Sequence, residues 1–345
     1  MARSTGGTPN VVALGGGHGL AASLRALRRV TDRLTAVVTV ADDGGSSGRL
    51  RRELGVLPPG DLRMALAALC GDDDWGQTWS RVVQHRFRSA GDLHDHALGN
   101  LLIVALWELL GDSVAGLDWV ARLLGAEGRV LPMSLVPLDI EAVVELDDDL
   151  ANLASGDDAG PALATIRGQV SVATTTGRVI SLGLVPERPP ACPEAVRAVS
   201  AADWVVLGPG SWYTSVLPHL LVPDLAAALE NGSGRRVVVL NLAPQPGETA
   251  GFAPETHLEV LAGLAPGLRL DAVLADEASV PDPAALERTA RSFGAEVVLA
   301  PLALEEAPTV HDADLLAAAF EGLFRSQLVG SRAEAQRSLP SDDRM

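Results

Sequence analysis

Short, apolar, β-branched runs alternate with amphipathic stretches along most of this chain. Four of the runs stop abruptly at a glycine-rich polar loop: VVALGGGHGL at 11–20, VVTVADDGGSSGR at 37–49, WVVLGPGSWYTS at 204–215 and VVVLNLAPQPGET at 237–249. Runs this short and this apolar read as buried parallel strands rather than half-exposed antiparallel ones. The spacing predicts a first strand at Val11–Leu14, a helix over 20–30 and a second strand at Ala36–Val40, a βαβ start, followed by helices over 61–71, 75–88 and 96–110. From about 129 to 187 the period changes to two, broken by Gly and Pro, which predicts an inserted antiparallel sheet. Alternation of strands and helices resumes at Ala202 and continues to a last helix from Asp312 to about Val329. The whole pattern predicts an α/β fold, a doubly wound Rossmann-like parallel sheet with an inserted antiparallel β module. Residues 1–9 read as a flexible N-terminus, 10–328 as the α/β domain and 329–345 as a polar, disordered tail.

Composition narrows the partners. With 345 residues, 47% of them hydrophobic and 21% charged, the chain can bury a full core. A formal charge of −17 argues against a nucleic-acid surface or an anionic membrane as partner, because a polyanion would be repelled. No apolar run of about 18 residues appears, and MARSTGGTPN lacks the apolar stretch of a signal peptide, so the expectation is a cytoplasmic protein with no membrane insertion. Cys70 and Cys192 form no CxxC pair and are expected to be reduced. There is no lysine, which removes Schiff-base and P-loop lysine chemistry.

Candidate chemistry lies in the loops. Gly15, Gly16, Gly17 and Gly19, with His18 among them, sit where backbone amides and a helix N-terminus can approach a phosphate. Leu20 stands where the dinucleotide fingerprint wants glycine, which disfavours a nicotinamide-dependent oxidoreductase. Asp42 and Asp43 end the second strand, placed either to accept from ribose hydroxyls or to hold a divalent cation, and they are the candidate metal ligands. Gly44, Gly45, Ser46 and Ser47 follow, with Arg49, Arg51 and Arg52 close behind, a combination suited to a diphosphate. Arg63, after the Pro58–Pro59 pair, is a further phosphate candidate, and Asp61 is either a helix cap or a ligand. His94 and His96 lack a third metal ligand; His96 with Asn100 behind it reads as a ligand contact at a helix start. Gly208, Gly210, Ser211 and Thr214 form a second cradle, Tyr213 is placed to stack on a base or to pack in the core, and Asn241 and Gln245 are candidate amide readers. No nucleophile is paired with a base, so catalytic residues are not identified and a binding role is favoured over an enzymatic one.

Taken in order, GGGHGL, VTVADDGGSSGRLR, PPGDLR, HALGNLL, GPGSWYTS and QPGET resemble the YvcK-type gluconeogenesis-factor family, a branch of the CofD-like superfamily, from about residue 10 to about 328. Departures fall at His18, Met64, Trp212 and Pro244. The resemblance implies a regulatory protein that binds UDP-N-acetylglucosamine or a related nucleotide diphosphate and acts in cell-shape maintenance, cell-wall (peptidoglycan) precursor allocation and gluconeogenic growth, with no cofactor required. It places Gly15 to Gly19, Asp42 to Ser47, Ser211, Thr214 and Asn241 along the nucleotide-sugar cleft, and it is compatible with a homo-oligomer. The alternative is a 2-phospho-L-lactate transferase type of enzyme, moving a phospholactyl group from a guanosine diphosphate-linked donor with Mg²⁺ held by Asp42 or Asp43.

Overall fold

Val11–Gly15 forms a strand with every residue buried, and further strands stack on both sides of it in one seven-stranded parallel sheet. In the computed structural model, which describes residues 8–146 and 162–337, the strands of this sheet are β1 (Val11–Gly15), β2 (Leu34–Val38), β3 (Arg129–Pro132), β7 (Trp204–Leu207), β8 (Arg235–Val239), β9 (Ala272–Asp276) and β10 (Glu296–Ala300). Their order is β10-β9-β8-β7-β1-β2-β3, with parallel pairing throughout. The winding therefore reverses between β1 and β7. That reversal opens a crevice at the carboxyl ends of the strands, where α/β sheets of this kind bind ligands.

A three-stranded antiparallel sheet, β5-β4-β6, stands apart from the main one, built from β4 (Asp139–Glu145), β5 (Leu163–Arg167) and β6 (Arg178–Val185). It opens at Asp139 rather than at 129, because Arg129–Pro132 pairs in parallel with β2 as an edge strand of the main sheet. Ile140, Ala142 and Val144 alternate inward and bury that face of β4.

The crossover from β2 to β3 carries five helices: α1 precedes it at Gly17–Leu27, then α2 (Gly45–Leu54), α3 (Gly60–Ala68), α4 (Asp74–Gln84), α5 (Leu98–Leu110) and α6 (Ser113–Leu124). Two of these escaped the sequence pattern. In α2 the GSSGRLRR stretch, expected as a loop, is helical from Gly45 with only Leu50 as a buried apolar side chain. In α6 the buried row of Val114, Leu117, Val120 and Leu124 packs on α5 and β3. A short helix α7 (Gln169–Ala173) sits in the antiparallel module, and α8 (Pro193–Ser200), α9 (Pro223–Asn231), α10 (Pro254–Leu264) and α11 (Pro283–Ser292) alternate with the remaining strands. After β10 the chain turns through a hairpin, β11 (Ala303–Leu304) and β12 (Ala307–His311), that sequence periodicity did not reveal. The last helix, α12 (Ala313–Arg337), packs on α1 and runs beyond the expected end near Val329. The expected tail beyond Arg337 and the first seven residues lie outside the described residues. Among the described residues, no helix is long and apolar enough to cross a membrane.

Candidate functional site

The four glycine-rich loops gather on one rim, as the strand order requires. A cleft of about 400 Å³ lies over it, lined by His18 and Gly19 at the start of α1, Pro209 and Gly210 after β7, Asn241 and Gln245 after β8, and Thr309 and His311 from β12. The walls are held by backbone contact. A β-carbon at Gly19 would collide with the Pro209 carbonyl oxygen and the Gly210 Cα, so the two loops touch only because neither carries a side chain there. Gly17 begins α1 at φ +56°, in the left-handed region that favours glycine. Asn241, expected to read a base, instead clasps the neighbouring loop: its Oδ1 accepts from the Gly210 N–H at 2.8 Å and its Nδ2 donates to the Gly210 carbonyl at 2.9 Å. Each half of the amide makes one bond to Gly210, so Asn241 positions that residue and keeps one N–H and one lone pair at the cleft wall. Gln245 is pinned through its backbone N–H to Thr249 Oγ1 at 2.8 Å, while its side-chain Oε1 is buried with no hydrogen-bond partner among the described residues.

A second group of expected residues forms one connected polar cluster at the carboxyl end of β2. Ser46 Oγ accepts from Asn100 Nδ2 at 3.0 Å and stands 3.0 Å from His96 Nδ1, and Arg63 Nε donates to Asn100 Oδ1 at 2.9 Å. All four are buried, Arg63 only 6% exposed and Asn100 only 1%. Burial, with the Arg49 charge adding to it, lowers the His96 pKa, which leaves a neutral imidazole able to accept from Ser46. The two Nη atoms of Arg63 have no protein acceptor among the described residues. Neither α1 nor α2 has a side-chain cap on its N-terminal residue, Gly16 or Gly44, and neither carries an acid in its first turn.

Between the two groups lies Asp61. Its carboxylate packs against Gly16, accepts from the Gly17 N–H and feels the charge of Asp42. Burial first, and Asp42 second, push its pKa up to about 7, against the opposing pull of the Gly17 N–H and Arg63. A β-carbon on Gly60 would sit 2.7 Å from Asp42 Oδ2 and would also collide with Ser47 Oγ, so Asp42, Ser47 and the first turn of α3 share one small space. Sequence alone left Asp61 open between a cap and a ligand; the Asp42 charge beside it is a long-range fact no local pattern carries.

Several expectations need correction. Asp42 and Asp43 do not face one another. Asp42 Oδ1 accepts from the Gly44 N–H at 2.9 Å on the rim, whereas Asp43 Oδ1 accepts from the Val170 N–H at 3.1 Å and fastens α7 of the antiparallel module. Asp43 is therefore no partner of Asp42 for a cation. Ser211, Tyr213 and Thr214 do not form an open cradle, because Trp212–Val216 coils into a π-helical turn turned toward the interior. Glu248 accepts from the Tyr213 N–H at 2.9 Å and from Thr214 Oγ1 at 2.5 Å, and the Ser211 side chain serves the same carboxylate. The Tyr213 ring packs edge-on to Phe252, with centroids 6.3 Å apart, so it is a core residue and not a base platform. Gly208 lies below the rim, its carbonyl accepting from Ser23 Oγ at 2.9 Å. The arginines after Ser47 are likewise committed: helix α2 turns Arg49 to the carbonyls of Asp92 and His94, Arg51 to Leu138 and Asp139, and Arg52 to the Asp43 carbonyl. Gly15 and Gly45 stay on the rim as backbone elements, Gly15 closing β1 and Gly45 opening α2 at φ +45°. Thr309 and His311 were not expected, since the hairpin that brings them over the cleft follows the last parallel strand and looks like a plain turn in sequence.

Comparison with known proteins gives a consistent picture. A family model described as 2-phospho-L-lactate transferase CofD matches residues 11–312. A Mycobacterium tuberculosis protein provisionally named a gluconeogenesis factor is 52% identical over 341 residues, covering 97% of this chain and 96% of that protein. The Bacillus subtilis gluconeogenesis factor is 36% identical over 277 residues, covering 80% and 81% of the two chains. A crystal structure of a Bacillus halodurans protein superposes with a TM-score of 0.77 at 32% identity, covering 90% of this chain and 98% of that one.

Proposed function

Because the chain belongs to the CofD family, within its gluconeogenesis-factor branch, we propose that it is a nucleotide-sugar-binding regulatory protein whose ligand is UDP-N-acetylglucosamine or a close relative. The observation that carries this reading is the buried Arg63, its Nη atoms without protein acceptors among the described residues, next to the uncapped first turn of α2 at Gly45–Ser47. A guanidinium fork beside open helix amides is the local electropositive feature that a strongly acidic chain needs to hold a diphosphate. The cleft of about 400 Å³ alongside has no arginine in its lining and suits the uncharged end of the ligand. In this reading, occupancy of the rim informs a partner process, cell-wall precursor allocation and gluconeogenic growth, through the ligand's preference for one arrangement of the loops.

One observation favours a second reading. The charge of Asp42 reaches Asp61, and Ser47 lies beside Asp42, so these two carboxylates are the residues that would hold Mg²⁺, a hard cation that takes one or two carboxylates and completes its shell with water and substrate phosphate. Such an ion would neutralise phosphate charge in a transferase-type reaction, and Arg63 would orient the phosphate. A thermal-shift panel of UDP-N-acetylglucosamine, UDP, GDP and GTP, each with and without Mg²⁺, separates the two. A ligand at about a hundredfold over its Kd adds ~2.7 kcal/mol of stability. Response to uridine compounds alone supports the regulator, response to guanosine compounds only with Mg²⁺ supports the transferase, and silence from all four defeats both.

A further inference from the structure

Two of the buried side-chain atoms that lack a hydrogen-bond partner among the described residues, Gln245 Oε1 and His311 Nε2, belong to residues lining the same cleft. They come from different elements, the turn after β8 and the end of β12. Leaving a buried acceptor unmade costs about 1–3 kcal/mol, so two in one small cleft call for an explanation.

The chemistry of each atom is fixed by its surroundings. The Leu240 carbonyl lies near the His311 ring, and in the tautomer with its proton on Nδ1 the unpartnered Nε2 is a lone-pair acceptor. Burial holds the His311 pKa down to about 4, against the raising effects of Leu240 and Asp276, so the ring remains an acceptor at neutral pH. Gln245 is held by the turn that its backbone N–H closes with Thr249 Oγ1, and Thr249 in turn donates its N–H to the Gln245 carbonyl at 3.0 Å. Asp276 anchors the far side, its Oδ1 accepting from the Leu302 N–H at 2.8 Å just before the hairpin. Both acceptors are therefore mounted on braced backbone.

We infer that the β11–β12 hairpin supplies a specificity determinant of the cleft, with His311 Nε2 and Gln245 Oε1 together accepting from two adjacent hydrogen-bond donors on the ligand's nucleoside end. The inference rests on the nucleotide reading of this cleft. Two adjacent donors occur in the vicinal hydroxyls of a ribose and in the N1–H and amino group of guanine; uracil offers a single ring donor between two carbonyls and does not fit. With a uridine ligand, the ribose diol is the matching group.

The test is calorimetric titration of wild type, His311→Phe, His311→Gln and Gln245→Leu with UDP, 2′-deoxy-UDP, GDP and IDP. Removing one acceptor should weaken UDP about tenfold or more, while binding of 2′-deoxy-UDP, already lacking a donor, should change far less. His311→Gln, which retains an acceptor oxygen, should recover part of the loss and guards against a variant that merely misfolds. If the discrimination appears between GDP and IDP instead, the paired donors are those of guanine. Variants that bind UDP and GDP as tightly as wild type overturn the inference alone. A wild type that binds no nucleotide overturns the nucleotide reading and this inference with it.

Discussion

Replacing Asp61 by asparagine should make the protein more stable than wild type at pH 8, an advantage that shrinks progressively as the pH is lowered. The side chain sits between Gly16 and Asp42, with its pKa raised from 3.8 to about 7 by burial and by the neighbouring carboxylate. The folded chain therefore holds this proton to about pH 7, whereas the unfolded chain releases it near 3.8. Between those values the folded state binds more protons, so the stabilisation is fully present below the unfolded value and is lost as pH rises through about 7. A shift of that size corresponds to about 4 kcal/mol for a fully dry site. Asp61 is half-buried, so water reduces the expected difference between pH 5 and pH 8 to ~1–2 kcal/mol. The substituted amide keeps an oxygen for the Gly17 N–H but has no charge to set against Asp42. Urea unfolding of wild type and Asp61→Asn across pH 5 to 8 measures the difference directly, and the general effects of a chain with a charge of −17 cancel between the two. Asp42→Asn should shrink the same difference by removing the repelling charge. Parallel stability profiles for wild type and Asp61→Asn would show that neither burial nor Asp42 raises the Asp61 pKa.

Three further outcomes follow from the packing. Gly19→Ala should lower stability by ~1–3 kcal/mol through overpacking against the Pro209–Gly210 backbone, whereas Gly322→Ala, with nothing within 4 Å of the added carbon, should gain ~0.5–1 kcal/mol in the last helix; thermal melts that rank them the other way refute the contact. Glu248→Ala should cost ~2–3 kcal/mol by orphaning the Tyr213 N–H and the Thr214 hydroxyl, and a loss under half of that in urea unfolding would mean the turn re-pairs with itself. Arg63→Gln should weaken nucleoside diphosphates by about 10- to 100-fold while leaving an uncharged nucleoside unaffected; equal losses for both would take Arg63 out of phosphate recognition.

Most of the sheet was legible in the sequence because its strands are short apolar runs, four of them leading into glycine-containing loops, whereas edge strand β3, with Arg129 and Pro132 at its ends, reads like part of the module that follows it. Helix α2 was not, since its glycines and serines lower helix propensity and its formation depends on tertiary partners: Ser46 against Asn100, and Arg51 against β4. The expected site residues divide, by what they touch, along lines that spacing does not encode. Asn241, Thr214 and Tyr213 look like ligand readers locally and hold neighbouring loops or the core, because their partners Gly210, Glu248 and Phe252 are about 30 to 40 positions away. His311 carried no local signal, since its importance comes from where a short hairpin folds back. The family resemblance had supplied the fold and the branch, and both stand.

Asp42 and Asp43 are consecutive residues on one strand end, yet one carboxylate closes the turn at Gly44 and the other fastens the first turn of α7. The loop after β2 is thus moored at two neighbouring residues, to the rim turn through Asp42 and to the antiparallel module through Asp43, so one peptide bond joins the two parts of the fold.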